Sequence, residues 1–226
     1  MCNMNCLKWA ASNLTREELN GKRILEVGSY NVNGSLRYVI GLADIADYTG
    51  ADIVEGPGVD IVCPAEKLVD KFGKDKFDIV VSTCVLEHII DWKTAVSNIK
   101  NVCKPGGMIM IILPSKWPFH EHPNDFWRYQ LEDVRNIFSD CEILHMDEDA
   151  GSRKRMVYAK IIKPKKFIEN DLAEYSLYSM VTNRRLRELR EKDFRNLRYR
   201  KFVLSGKMKA LEKRLKKGLK KMTGRI

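Results

Sequence analysis

The chain has no apolar run longer than the six residues from Met108 to Leu113, far short of the ~20 that a membrane-spanning helix needs. No charged-then-apolar stretch opens it, so no secretory signal is expected. The six cysteines (2, 6, 63, 84, 103 and 141) include no C-x-x-C pair and no dense framework. Reduced thiols in a cytoplasmic protein are therefore the expectation. Internal repeats are absent, as are low-complexity segments before a basic tail. What is present excludes a disordered or collagen-like chain. Apolar residues make up 44% of 226, enough for one good-sized core. The length suits a domain with an appendage better than two full domains.

Charge divides the chain. Residues 165–226 hold 20 Lys and Arg against 7 Asp and Glu, which leaves 20 basic and 23 acidic residues for the rest. The excess of +10 thus belongs to the tail, and the body's balance gives no reason to expect nucleic-acid binding. Within the body, strand-like runs at 23–27, 47–52, 59–62, 77–82, 108–113, 142–146 and 157–162 alternate with helical patterns at 14–19, 35–40, 65–72, 92–102 and 131–138. This alternation predicts an α/β, Rossmann-like doubly wound fold with a mostly parallel seven-stranded sheet. The near-continuous Ile and Val runs predict strands buried on both faces. The domain is expected over 1–163, followed by a basic, mainly helical extension over 164–226.

The first strand ends in a glycine turn, Gly28-Ser29-Tyr30-Asn31-Val32-Asn33-Gly34. Such a turn sets backbone N–H groups at a helix start, beside the strand tips where open α/β sheets bind ligands. The second strand ends in Asp52, 24 residues after Gly28, where a carboxylate can accept hydrogen bonds from two ribose hydroxyls. A nucleoside ligand follows. The spacing is not G-x-G-x-x-G, because Gly28 stands alone until Gly34, so the close approach a pyrophosphate requires is missing. A purely structural strand–helix turn also fits these residues.

Three further segments bear on the choice. Phe77 to His88 contains V-L-E-H after an Ile/Val strand, Lys104-Pro105-Gly106-Gly107 precedes the next strand, and Ile24-Leu25-Glu26-Val27-Gly28-Ser29 covers the first turn. In order and spacing they resemble the motifs of class I S-adenosylmethionine-dependent methyltransferases of the V-L-E-H group. The resemblance implies S-adenosylmethionine as cofactor. By it, Glu26 and the backbone around Gly28 and Ser29 hold the amino-acid end, Asp52 the ribose and Ile53 the adenine. Thr83 and Cys84 lie by the methionine portion. The Cys63-Pro64-Ala65-Glu66 segment departs from the family, because Pro64 replaces the usual Asp. Either Glu66 or a backbone carbonyl near Ala65 then receives the adenine amino group. An NAD(P)-dependent oxidoreductase and a non-catalytic nucleoside-binding module are the alternatives.

The long loop from Pro114 to Tyr129 follows the carboxyl end of a strand, where an acceptor would bind. In it, His120 or His122 is a candidate general base, and Trp117, Phe119, Phe126, Trp127 and Tyr129 a candidate wall for a sugar or apolar acceptor. His88 reads as a packed element of its turn. His120-x-His122-x-x-Asp125 has ligand-type residues without a further cluster, so no metal is expected. In the tail, Leu204, Met208, Leu211, Leu215, Leu219 and Met222 form one helical stripe amid lysines. Such a helix suits an anionic membrane surface, packing on the body or a second subunit, or, without a stacking platform, nucleic acid. The combined expectation is O-methylation of a small molecule or a glycan or glycolipid sugar, in the cytoplasm or at the inner face of the membrane.

Overall fold

A computed structural model describes residues 4–32, 34–120, 124–149, 154–197 and 199–205. In chain order its elements are α1 (Met4–Asn13), α2 (Arg16–Leu19), β1 (Arg23–Val27), α3 (Arg37–Ile40), β2 (Asp47–Asp52), β3 (Ile61–Val62), α4 (Leu68–Phe72), β4 (Phe77–Thr83), α5 (Trp92–Val102), β5 (Cys103–Lys116), β6 (Trp127–Arg128), α6 (Leu131–Ile137), β7 (Glu142–Glu148), β8 (Arg155–Ile162), β9 (Leu177–Ser179) and β10 (Arg184–Leu186). Single 3-10 turns occupy Ala65–Lys67, Leu86–His88 and Glu191–Arg195.

Seven strands form one sheet in the order β3-β2-β1-β4-β5-β8-β7. The first five are parallel, and β8 pairs antiparallel with both β5 and β7. This is the doubly wound sheet expected from the alternating pattern. Successive strand residues supply opposite faces. Leu25, Val80, Ile109 and Ile111 pack beneath α5, while Ile24, Ile79, Val81, Met108 and Met110 pack against α1 and α3. Because both faces are covered, the strands read as continuous apolar runs.

The structure adds elements that the pattern does not announce. Helix α1 lays Cys6 and Ala10 on the sheet, and Trp9 stacks on Tyr158 at 5.3 Å. A second sheet, β10-β9-β6, joins the loop after β5 to the extension. The extension therefore begins with strands. Among the described residues its helical part is the 3-10 turn at Glu191–Arg195 and the helical residues between 197 and 205. Leu177, Val181 and Tyr199 are buried in the same core as α5. The stripe from Met208 to Met222 lies outside the described residues. Among the described residues no helix is long and apolar enough to cross a membrane.

Candidate active site

The sheet order reverses between β1 and β4, and a cavity of about 350 Å³ opens over the carboxyl ends of β1, β2 and β4 at that point. Glu26, Gly28, Ser29, Asp52, Ile53, Ala65, Thr83 and Cys84 all line it, and Glu66 does not. The chain thus brings together eight of the nine residues assigned to the cofactor. Glu66 sits in the 3-10 turn at Ala65–Lys67 and leaves that end of the cavity to Cys63 and Ala65.

Glu26 is buried near the end of β1, where Oε2 accepts hydrogen bonds from the hydroxyls of Tyr48 (2.7 Å) and Ser35 (3.2 Å). Burial pushes its carboxyl above the ordinary range, against the pull of those hydroxyls. Gly28 has φ +79°, and a β carbon there would lie 2.0 Å from Val85 Cγ2. Only glycine lets the turn pass the segment leaving β4. The N–H groups of Gly28 and Ser29 both donate to the Ala51 carbonyl, at 2.8 and 3.1 Å. They are therefore engaged with β2 and not available to a ligand carboxylate, contrary to the expectation. The turn retains the Ser29 hydroxyl, buried and without a partner among the described residues.

Asp52 ends β2 with its carboxylate receiving the Tyr30 N–H (3.1 Å) and the Val54 N–H (3.3 Å). Tyr30, Val32, Ile53 and Val54 are exposed and line the mouth as an apolar rim. At the end of β4, Cys84 has φ +56° and donates its N–H to the Ile112 carbonyl at 2.8 Å. A non-glycine residue held there is strained backbone at the site. A hydrogen bond with Cys6, then burial, holds the Cys84 thiol well above its usual range, so it is a neutral wall group and not a nucleophile.

At the other end, His88 and Ile89 line the cavity, from the V-L-E-H turn. His120 is absent from the lining. It packs behind His88, ring centroids 5.1 Å apart. His122 lies outside the described residues. The aromatic wall does not form either. Phe126, Trp127 and Tyr129 are buried in the core. Trp127 Nε1 donates to the Ile89 carbonyl (2.9 Å) and the Tyr129 hydroxyl to that of Leu86 (3.1 Å), so both clamp the V-L-E-H turn. Phe119 stacks on Phe202, and Trp117 joins the opposite core. Sequence reasoning missed His88 as a cavity residue. The signal was the motif itself, whose contact with His120 only the fold reveals.

The family model described as methyltransferase domain matches residues 8–154. No curated protein matches the chain. Among solved structures, it is similar to the Burkholderia thailandensis 1,6-didemethyltoxoflavin-N1-methyltransferase with bound 1,6-didemethyltoxoflavin and S-adenosylhomocysteine, at TM-score 0.55 and 14% identity over 70% of this chain and 78% of that one. It is similar to an S-adenosylmethionine-dependent methyltransferase from Mesorhizobium loti, at TM-score 0.51 and 17% identity over 69% and 97%. The cyclase SpnF matches at TM-score 0.53 and 15% identity over 71% and 80%. At these identities the likeness is one of fold, which by itself does not define the reaction.

Proposed function

From the premise that this chain belongs to the methyltransferase domain family, we propose that its cavity holds S-adenosylmethionine and that it methylates an oxygen of a small molecule or of a glycan or glycolipid sugar. One observation carries the cofactor part of this reading. Groups suited to each end of that cofactor surround one cavity at the switch point, and a glycine without room for a β carbon shapes its floor. The Glu26 carboxylate suits an ammonium, and the Ser29 hydroxyl suits the neighbouring carboxylate. Asp52 suits the ribose hydroxyls. The apolar rim of Ile53 and Val54 suits adenine, with the Cys63–Ala65 backbone in place of the absent Asp.

The cofactor supplies a sulfonium methyl already activated for attack. The protein's contribution is alignment, worth several kcal/mol of a barrier when the geometry is held, roughly 7–11 at most. Val85, Thr83 and Cys84 set the wall, and Ile89 keeps water from the far end. The glycolipid reading also draws on the basic residues 165–226, which suit an anionic membrane surface.

Calorimetry with S-adenosylhomocysteine tests the cofactor. Binding is expected, and Asp52→Ala should weaken it about 10–100-fold, the loss of one or two charge-assisted hydrogen bonds. A well-folded wild type that binds none overturns the reading. Labelled cofactor offered with lipid-linked sugars, quinone precursors and RNA tests the acceptor, with label expected in the sugars. Label in RNA alone rejects it.

A further inference from the structure

Behind the cavity wall three Lewis bases face one another, and among the described residues no donor is bonded to the Glu87 carboxylate or to His88 Nε2. Glu87 is fully buried, and neither carboxylate oxygen has a partner among the described residues. His88 Nε2 is buried, likewise without a hydrogen-bond partner, and lies 3.7 Å from Glu87 Oε1. His120 Nε2 approaches the same oxygen at 3.9 Å from another loop. One ligand atom from each residue falls within 4.8 Å of the others.

The surroundings fix which nitrogens carry protons. His88 Nδ1 contacts the Asn124 carbonyl, an acceptor only. His120 Nδ1 lies 3.1 Å from Asp125 Oδ2 and 3.3 Å from the Pro118 carbonyl, again acceptors only. Both Nδ1 atoms therefore donate, and in the neutral tautomers this leaves both Nε2 lone pairs turned toward Glu87. Asp125 is fully buried and held at two oxygens by Arg128, at 2.5 and 2.7 Å. With neutral imidazoles, three lone-pair donors converge at a largely buried place, and a proton on one of them or a cation between them relieves their repulsion.

We propose that Glu87, His88 and His120 form a binding site for a divalent transition-metal ion of the zinc class. Two imidazoles and one carboxylate are the ligand set of open zinc and related sites. Each imidazole is oriented through its other nitrogen by a carbonyl or a carboxylate, the outer arrangement that metal-binding histidines require. Ligand atoms about 2.0–2.1 Å from a tetrahedral ion lie roughly 3.4 Å apart, so the two histidine–Glu87 separations of 3.7 and 3.9 Å would shorten by a few tenths of an ångström and the whole set, now within 4.8 Å, would draw together. Backbone and side-chain bonds hold the Glu87–His88 turn in place. The Phe126 N–H donates to the Glu87 carbonyl at 2.8 Å, and Trp127 and Tyr129 clamp the residues on either side. His88 also lines the cavity, so an ion held here would adjoin it. On the methyl-transfer reading, the ion takes the acceptor hydroxyl and lowers its pKa.

The test is metal binding by the full chain without cofactor, so its outcome does not depend on the methyl-transfer reading. Zn²⁺ is titrated in competition with a chromophoric chelator, and Co²⁺ is added as a spectroscopic probe. One equivalent should bind the wild type, with visible d–d bands and no thiolate charge-transfer band. Glu87→Gln and His120→Ala should each weaken Zn²⁺ at least tenfold, whereas His145→Ala, at an exposed histidine elsewhere, should not. His120 is partly exposed, so its variant decides the matter if Glu87→Gln does not fold. No binding by the wild type, a thiolate band, or an affinity that His120→Ala leaves unchanged overturns the site.

Discussion

At the scale of single residues, Glu26 shows how the site trades stability for binding. It is a carboxylate among buried strand residues, and burial raises its pKa, with the Tyr48 and Ser35 hydroxyls opposing. A raised folded pKa contributes stability below the unfolded value of about 4.3, and that contribution is lost as pH rises through the folded value. Ionising this buried carboxyl costs the folded protein free energy that a cationic ligand would offset. Glu26→Gln should raise Tm at pH 7 by a few degrees, with the gain shrinking toward pH 4, while S-adenosylhomocysteine binding is lost. Thermal melts at several pH values alongside calorimetry check this. An unchanged Tm would mean that the hydroxyls already compensate the charge. Gly28 and Asp52 were legible from the sequence because turn chemistry and strand-end spacing are local. The capture of the Gly28 and Ser29 N–H groups by Ala51 was not, because it depends on how closely β2 runs beside β1.

At the scale of elements, the strands were legible and the small pieces were not. The central stretches of β1, β4 and β5 are rich in Ile, Leu, Val and Met on both faces because α5 covers one face and α1 with α3 the other. In α1 the buried positions are a cysteine and an alanine, too little apolar area to announce an amphipathic helix. β6 and β9 span two and three residues, and only their long-range pairing makes them strands. A buried lysine joins α5 to the extension. Lys100 Nζ donates to the Ile137 carbonyl (2.6 Å), Asp140 Oδ2 (2.7 Å) and Asn170 Oδ1 (2.9 Å). Lys100→Ala leaves the buried Asp140 carboxylate without a cation and should cost about 3–5 kcal/mol in urea denaturation. Adding Asp140→Leu should restore part of the loss. A single variant within about 0.5 kcal/mol of wild type would deny the clamp any role.

At the scale of the molecule, several carboxylates hold the sheet's periphery. Burial draws the carboxyls of Asp78, Asp60 and Glu18 upward, but bonds to each outweigh it and leave all three lowered. Asp78 accepts from Lys104 (2.7 Å) and the Arg23 N–H (2.9 Å), Asp60 from the Gly50 N–H (2.7 Å) and Arg37, and Glu18 from Lys160 (2.5 Å). A lowered folded pKa gives stability that is present above the unfolded value and lost as pH falls through the folded one. The urea midpoint should hold between pH 6 and 5, then drop below about pH 4. Asp78→Asn should lower the plateau and flatten the acid limb. An acid limb as steep as wild type would show that Asp78 contributes nothing to it.

The amino-acid sequence by itself determined the order of the seven main-sheet strands and of the helices between them, the lone-glycine turn and the acid at the second strand's tip, because these rest on local periodicity and turn chemistry. It also settled where the charge lies, since that is composition alone. Only the tertiary structure decided that His88 rather than His120 reaches the cavity, that the loop aromatics clamp a turn instead of lining a wall, and that Glu87, His88 and His120 converge. Those facts depend on residues more than thirty positions apart meeting in space, and no local pattern encodes such a meeting.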